Sequence, residues 1–174
     1  MRNIKHSTQY LFGVDMSSKY VTLKWQDVEE DIRALADKIR ASGEQFDAIL
    51  GIARGGLVPA MLLSDSLDQH NIATIRMRLY KNGKKLESLE ILDWPAASME
   101  GKNILVVDDI SDTGETLSQL KTWLSTQNVS GFKIACLHSK PKTDLKPDFY
   151  SRELDGWICY PWNRREDMKM LESR

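Results

Sequence analysis

Residues 104–116 have the sequence ILVVDDISDTGET, and they decide the fold of this 174-residue chain. The four apolar residues at the start predict a buried β-strand. The strand ends at Asp108 and Asp109, and a turn rich in Ser, Thr and Gly then opens a predicted helix over residues 114–125. A buried strand that leads through such a turn into a helix is typical of α/β proteins, whose ligands collect beyond the carboxyl ends of parallel strands.

Hydrophobic periodicity predicts an alternation of helices and strands on both sides of this stretch. Apolar residues at three- and four-residue steps predict helices, and short apolar runs that end in glycine or polar residues predict strands. The further predicted elements are a helix from Trp25 to about Arg40, a strand over 46–53, a helix over 57–67, a strand over 72–79 and a strand over 133–137. This order predicts an α/β fold with a mostly parallel twisted sheet flanked by helices.

Composition limits the class of protein without indicating its chemistry. The 24 Lys and Arg residues against 25 Asp and Glu residues give a net charge of −1, which gives no reason to expect nucleic acid as a partner. No apolar run approaches the roughly 20 residues that span a bilayer, and the two cysteines lack the CxxC spacing of a redox or metal site. We therefore expect a cytoplasmic protein, with an N-terminal extension over residues 1–17 and a single domain over residues 18–174.

The turn after the central strand has the chemistry of a phosphate-binding site. Backbone N–H groups at a helix start, with the hydroxyls of Thr113 and Thr116, form a cradle for phosphate. Adjacent carboxylates at the strand end can hold ribose hydroxyls or Mg²⁺. The alternative is a helix N-cap, which Asp112 alone would satisfy. A cap does not explain Asp108 and Asp109, because charge at the end of a buried strand is costly without a partner.

The run over residues 104–116 resembles the signature of phosphoribosyltransferases that bind 5-phosphoribosyl 1-diphosphate. That signature has four apolar residues, two acids, two variable residues and then Asp-Thr-Gly-x-Thr. Residues 52–59, IARGGLVP, resemble the pyrophosphate loop of the purine branch. Much of the chain from Ser18 to Trp162 is similar to xanthine-guanine phosphoribosyltransferases and their hypoxanthine-using relatives. The resemblance implies the type I phosphoribosyltransferase fold with a small C-terminal hood.

The resemblance also implies a role for each matching residue of the two motifs. Asp108 and Asp109 would hold the ribose hydroxyls, with Asp109 nearest a Mg²⁺ that bridges ribose and pyrophosphate. Asp112 would lie beside the purine N7 as the general base. Arg54 and Gly55 would face the pyrophosphate, and the peptide that joins such residues is often cis in relatives. The residues that would wrap the 5′-phosphate are Thr113, Gly114, Glu115 and Thr116.

The base site that the resemblance implies lies near the C-terminus. Trp157 and Ile158 would sandwich the purine, and Lys140 would donate to its 6-oxo group. The alternatives are an aromatic strand packed into the core and a surface lysine. Cys159 and Tyr160 replace the polar pair of the xanthine-guanine enzymes. Fewer fixed acceptors near the purine 2-position favour hypoxanthine or guanine over xanthine.

The expected activity is Mg²⁺-dependent transfer of the 5-phosphoribosyl group from 5-phosphoribosyl 1-diphosphate to a 6-oxopurine. The products are a nucleoside 5′-monophosphate and pyrophosphate, as in purine salvage. The alternatives are transfer to another base, or a regulatory module with the same fold that binds nucleotides or nucleic acid. Such a module should carry a basic stripe, whereas the Lys and Arg residues of this chain are scattered among acids.

The resemblance further implies an assembly and a moving loop. Relatives form homodimers or homotetramers, and we expect the same of this chain. Residues 80–89 lie where relatives carry a mobile loop that closes over the site and excludes water. A solvated charged hairpin is the alternative for this segment.

Overall fold

The computed structural model describes residues 10–11, 14–15, 20–81 and 84–163. The helices are α1 (Trp25–Ala41), α2 (Leu57–Ser66), α3 (Ala96–Met99) and α4 (Glu115–Leu124). The strands are β1 (Tyr10–Leu11), β2 (Val14–Asp15), β3 (Tyr20–Thr22), β4 (Ala48–Ala53), β5 (Ile72–Lys81), β6 (Lys84–Asp93), β7 (Asn103–Ser111), β8 (Gly131–Ser139), β9 (Phe149–Glu153) and β10 (Trp157–Cys159). Apart from β1 and β2, which pair with each other, the predicted extension over residues 1–17 lies outside the described residues. No helix in the described part is long and apolar enough to cross a membrane.

Six strands form the main sheet in the order β6-β5-β4-β7-β8-β9. The five strands from β5 to β9 in this order run parallel, and β6 is antiparallel at one edge. The prediction of a mostly parallel sheet with flanking helices is therefore confirmed, and its central strands are β4 and β7.

Both faces of β7 are buried, which explains its unbroken apolar run. Leu105 and Val107 pack into a core with α1 and α2 on one side of the sheet. Ile104 and Val106 pack into a second core with α4 on the other side. Consecutive side chains of a strand point to opposite faces, so an alternating polar pattern would have left one of these cores unfilled.

The first two helices begin and end close to their predicted bounds. In α1 the side chain of Asp27 accepts a hydrogen bond of 2.7 Å from the backbone N–H of Lys24, which caps the helix start. The buried face of α1 includes Val28, Ile32 and Leu35. This spacing at three and four residues is the one that predicted the helix.

A second, two-stranded sheet joins the two ends of the described domain. In this sheet β10 pairs in parallel with β3, and Trp157 lies opposite Tyr20. We call the pair of β3 and β10 the hood. The hood was expected to be C-terminal, and this expectation was incomplete because half of the hood comes from the N-terminal side. A three-residue strand has too little hydrophobic pattern to be predicted from sequence.

The polar stretch after β5 is part of a hairpin between β5 and β6. A mobile loop and a charged hairpin were the two alternatives for residues 80–89, and the observed antiparallel pairing of Tyr80 with Lys85 and of Lys81 with Lys84 is that of a hairpin. The Asn-Gly sequence at residues 82–83 is typical of such a hairpin. Those two residues, at the tip of the predicted mobile loop over residues 80–89, lie outside the described part.

Candidate active site

The carboxyl ends of three neighbouring parallel strands place the predicted motifs at one edge of the sheet. β4 ends at the turn that carries Arg54, β7 carries Asp108 and Asp109 near its end, and Lys140 follows β8 directly. β7 lies between β4 and β8 and is parallel to both. The sheet therefore brings together residues that are far apart in sequence.

The acid pair at the end of β7 lies in an environment that disfavours its ionisation. Asp109 is only 9% exposed, and the Oδ1 of Asp108 accepts a hydrogen bond of 2.9 Å from the backbone N–H of Asp109. Burial, followed by the neighbouring Asp109 carboxylate, raises the pKa of Asp108 well above its usual value. Burial also raises the pKa of Asp109, and hydrogen bonds oppose this rise in part. A cation bound here would relieve this cost.

The loop after β4 approaches the acid pair closely because it is built from glycine. A Cβ atom on Gly55 would collide with the carboxylate of Asp109, and one on Gly56 would collide with the carbonyl oxygen of Val107. Only glycine allows this approach of backbone to carboxylate. The cis peptide of the loop joins Ala53 to Arg54, one bond before the position that the resemblance implied. Arg54 itself is exposed.

The turn after β7 forms a small cavity at the start of α4. Gly114 has a φ of 82°, a left-handed conformation that favours glycine, and a Cβ there would collide with the backbone N of Leu145. The cavity has a volume of about 110 Å³. Its lining includes Asp108, Asp112, Thr113, Gly114 and Thr116. A helix N-terminus beside exposed threonine hydroxyls suits a phosphate group.

The sequence did not point to the residues that support this turn. The hydroxyl of Ser111 lies 2.9 Å from that of Thr143 and donates to the carbonyl oxygen of Leu145 at 2.9 Å. The backbone N–H of Asp144 donates to the carbonyl oxygen of Thr113, also at 2.9 Å. The segment after Lys140 thus holds the turn between β7 and α4 in place. A serine or threonine in a polar loop carries no signal of such a contact, because its partners are set by the folded chain.

A larger cavity of about 340 Å³ opens beside the turn, and its volume suits a small planar ligand. It is lined by Asp112, Thr113, Lys140, Pro141, Lys142, Asp144, Asp155 and Gly156. The Nζ of Lys140 donates a hydrogen bond to the carbonyl oxygen of Gly156, which holds the ammonium group at the cavity. Asp112 is exposed at the same cavity. Asp112, the predicted general base, and Lys140, the predicted donor to the purine, therefore line the same cavity.

The predicted sandwich of a purine between two hood side chains is wrong in one of its members. Trp157 is 40% exposed, but Ile158 is 7% exposed and belongs to the hydrophobic core. Neighbouring residues of a strand point to opposite faces, so the two side chains cannot form the two walls of one slot. Trp157 directly follows Gly156, which lines the cavity.

Comparison with known proteins connects this site to a family. Residues 22–167 match the family described as phosphoribosyl transferase domain. A xanthine-guanine phosphoribosyltransferase of Cereibacter sphaeroides is 33% identical over 148 residues, which are 81% of this chain and 85% of the relative.

Two solved structures extend the likeness. One is a purine phosphoribosyltransferase from Pyrococcus horikoshii, with a TM-score of 0.71 and 38% identity over 83% of this chain and 93% of that one. The other is a protein from Neisseria gonorrhoeae with bound ppGpp, with a TM-score of 0.73 and 28% identity over 89% of this chain and 97% of that one. The motifs, the sheet and these matches agree, and the chain belongs to the phosphoribosyl transferase domain family.

Proposed function

We propose that this phosphoribosyltransferase transfers the 5-phosphoribosyl group of 5-phosphoribosyl 1-diphosphate to a 6-oxopurine: guanine, hypoxanthine or xanthine. The products are a nucleoside 5′-monophosphate and pyrophosphate, as in purine salvage. The observation that carries the proposal is the acid pair, which lies against the glycine loop and beside the phosphate turn. The purine names of the relatives, and the guanine nucleotide bound by the Neisseria protein, support a purine substrate.

The residues at the strand end fit Mg²⁺ as the cofactor. Mg²⁺ prefers oxygen ligands and uses one or two carboxylates together with substrate phosphates. Asp109, with a pKa raised by burial, provides such an oxygen, and Asp108 lies next to it. Within the described residues no group of three or more His, Cys, Asp or Glu side chains could enclose a metal. When bound, Mg²⁺ neutralises charge on the pyrophosphate.

In the proposed reaction the protein positions two charged ends of the sugar. Arg54 and the backbone at Gly55 hold the pyrophosphate, and Asp108 and Asp109 hold the ribose hydroxyls. The 5′-phosphate is bound by the phosphate turn, which consists of Thr113, Gly114, Glu115 and Thr116. Electrostatic placement of this kind is the main source of acceleration when charge develops in a transition state.

The base reacts from the larger cavity. A bond forms between the purine nitrogen and the anomeric carbon, and the bond from that carbon to the pyrophosphate oxygen breaks with its electron pair. The purine proton passes to the carboxylate of Asp112, and Lys140 donates to the 6-oxo group. Trp157 covers one face of the base. A general base such as Asp112 adds about 10²–10⁴-fold to the rate.

The residues after Ile158 support a preference among purines. Cys159 is 9% exposed and Tyr160 is 3% exposed. Their side chains are turned into the protein, so they offer no acceptor to an oxo group at the purine 2-position. We therefore expect hypoxanthine and guanine to react faster than xanthine.

The direct test is turnover. The protein is incubated with Mg²⁺, 5-phosphoribosyl 1-diphosphate and each of hypoxanthine, guanine, xanthine and adenine, and the release of monophosphate and pyrophosphate is measured. We expect both products with hypoxanthine and guanine. Absence of turnover with all four bases would overturn the proposal.

The role of Asp112 has a separate test. Asp112→Asn should lower kcat by about 10²–10⁴-fold, while binding of the sugar diphosphate, measured by calorimetry, stays near that of the wild type. Asp65→Asn, at an exposed position of α2, is the matched control and should change neither quantity. Equal loss of turnover and of diphosphate binding would assign Asp112 a structural role instead.

Two further expectations belong to this proposal. Residues 18–174 form the catalytic domain, which assembles as a homodimer or homotetramer in the cytoplasm without nucleic acid as a partner. Light scattering of the purified protein measures the mass of the assembly. A monomer with full turnover would remove the assembly from the proposal and leave the activity.

A further inference from the structure

A chain of hydrogen bonds crosses the core from α1 to the acid pair. The Nε2 of His138 lies 2.9 Å from the Oδ2 of Asp31, and its Nδ1 lies 2.9 Å from the hydroxyl oxygen of Tyr160. The Tyr160 hydroxyl in turn donates to the main-chain carbonyl of Asp109 at 3.0 Å. His138 is fully buried, and Asp31 and Tyr160 are 7% and 3% exposed. Polar groups at this depth are costly unless each is satisfied, so the chain is a built feature of the core.

The available donors and acceptors determine the direction of each hydrogen bond in this series. Burial raises the pKa of Asp31, but hydrogen bonds and charge from His138 and Arg152 bring it below its usual value, so Asp31 is a carboxylate and only accepts. The N–H at Nε2 of His138 therefore donates to Asp31. The single hydroxyl hydrogen of Tyr160 goes to Asp109, so Nδ1 must also carry a hydrogen and donate to Tyr160. His138 then donates through both ring nitrogens, to Asp31 and to Tyr160.

Aromatic packing holds Tyr160 in the orientation that this chain requires. The rings of Tyr160 and Trp162 stack at 4.6 Å with an interplanar angle of 17°. The ring of His138 lies 5.6 Å from that of Tyr160 on a tilted plane. A ring held in this way keeps its hydroxyl directed at the carbonyl of Asp109.

The series of hydrogen bonds ends at Asp109, where the substrate is expected. The Asp109 carboxylate lies against the backbone of Gly55, and its orientation follows from the peptide plane that the Tyr160 hydroxyl holds. The indole N–H of Trp162 is buried and has no hydrogen-bond partner in the described part, and its ring stacks on that of Tyr160. The segment after β10 therefore reaches Asp109 through the Tyr160 hydroxyl.

We propose that Tyr160 is a positioning residue, held by His138 and Asp31, which orients Asp109 toward the magnesium-bound sugar diphosphate. The inference rests on the proposed function, since it assigns Asp109 to that ligand. Tyr160 acts through the Asp109 main chain and does not touch the substrate. It is one of the two residues in which this chain departs from the polar pair of the xanthine-guanine enzymes.

The first test is the kinetics of Tyr160→Phe, which keeps the ring and removes the hydroxyl. Loss of one hydrogen bond should raise the KM for 5-phosphoribosyl 1-diphosphate and the half-saturating Mg²⁺ concentration by about 3- to 10-fold. The KM for hypoxanthine should not change. A merely structural role would lower the fraction of active protein, which reduces apparent kcat and moves no KM.

Tyr150→Phe is the matched control. The Tyr150 hydroxyl lies 3.5 Å from the Oε1 of the exposed Glu153 and is not in the chain. This variant should leave every kinetic constant within twofold of the wild type. Asp31→Asn is the second variant, used also if Tyr160→Phe does not fold, and it should raise the same two constants by a smaller factor because it removes the anion that holds His138.

The second test needs neither metal nor activity. In the ¹⁵N NMR spectrum of the metal-free wild type at neutral pH, His138 should show hydrogens on both ring nitrogens. In Tyr160→Phe the nitrogen Nδ1 loses its hydrogen-bond acceptor, and its ¹⁵N chemical shift should change more than that of Nε2. An Nδ1 without a hydrogen in the wild type would mean that Tyr160 donates to His138, and the proposal would be wrong.

These outcomes separate the inference from the proposed function. Absence of wild-type turnover with every base overturns the proposed function, and the kinetic form of this inference with it. Turnover by the wild type together with unchanged constants in Tyr160→Phe overturns the positioning role alone.

Discussion

Two acidic side chains of this protein have nearly the same solvent exposure, yet their pKa values shift in opposite directions. Asp31 on α1 is 7% exposed and Asp109 at the end of β7 is 9% exposed. Despite burial, hydrogen bonds from His138 and Arg152 hold the pKa of Asp31 below its usual value. At the strand end burial raises the pKa of Asp109, and burial with the neighbouring carboxylate raises that of Asp108 further.

The difference teaches which acid serves the fold and which serves the ligand. Asp31 has its compensating charges within the protein, so its ionised form is already stable in the folded state. The strand end places two like charges side by side, an arrangement typical of functional sites. Ionisation of both carboxyls of the Asp108–Asp109 pair costs free energy in the folded protein, and a bound cation can relieve this cost. The Asp31 carboxylate is already compensated by His138 and Arg152.

The largest effect that tests this comparison is expected for Asp108→Asn. The variant should lower kcat by about 10²–10³-fold, because a group aimed at the sugar is lost. It should also raise the free energy of unfolding of the metal-free protein by about 1 kcal/mol, since the amide removes one of two buried like charges. Turnover and urea unfolding are measured on the same preparation, with Asp65→Asn as control. A loss of stability would mean that the folded protein compensates the Asp108 charge, and the comparison would fail.

The opposite sign is expected for Asp31→Asn. Removal of the Asp31 carboxylate weakens the acceptor of the buried His138 N–H and of the half-exposed Arg152, so the free energy of unfolding should fall by up to about 3 kcal/mol. Urea unfolding at pH 7 measures this change. The matched control is Asp37→Asn on the same helix, whose pair with Arg40 is exposed and should contribute less than about 1 kcal/mol. Equal effects of the two variants would show that burial of Asp31 does not matter.

Ligand binding should stabilise the wild type against unfolding more than it stabilises Asp108→Asn. At about 100 times its Kd, Mg²⁺ with 5-phosphoribosyl 1-diphosphate should raise the free energy of unfolding of the wild type by about 2.7 kcal/mol. At the same ligand concentrations Asp108→Asn should gain clearly less, and the control Asp65→Asn should gain as much as the wild type. A full gain in Asp108→Asn would place the ligand away from the strand end.

The smallest expected effect is a difference in pH dependence. The raised pKa of Asp108 makes its contribution unfavourable at high pH, and this cost is relieved as pH falls toward the unfolded value near 4. The stability gap between wild type and Asp108→Asn should therefore shrink by about 1 kcal/mol between pH 8 and pH 5.

The gap for Asp31→Asn should behave differently. The lowered pKa of Asp31 makes its contribution favourable above the unfolded value, and it is lost only as pH falls through the lower folded pKa. The ionisation of Asp31 itself should therefore not change that gap from pH 8 to pH 5. Urea unfolding of both variants across this range measures the two slopes, and parallel slopes would contradict the comparison.

Much of the fold followed from local patterns. The apolar run that ends at Asp108 predicted β7, and the spacing of Val28, Ile32 and Leu35 predicted α1. The hood was seen only in part, because β3 has three residues and gains its stability by pairing with β10. A hairpin was one of two alternatives for residues 80–89, but the full extent of β6 was not predicted.

The residues of the candidate site were likewise predicted only in part. Asp108, Asp112 and Lys140 line two neighbouring cavities at one edge of the sheet, and their roles stay predictions. Ile158 was assigned to the wrong face, because the register of β10 decides which of two neighbouring side chains is buried. Ser111 and Thr143 were not foreseen at all.

By itself, the sequence determined the α/β class, the family and the phosphate turn. These are encoded in short contiguous motifs, in which one strand, one turn and one helix start set the local geometry. Only the tertiary structure decided that His138 meets Asp31, 107 residues away in the chain, and that Tyr160 reaches Asp109. The physical reason is that burial and charge compensation depend on which distant groups share a low-dielectric interior, and no local pattern records that.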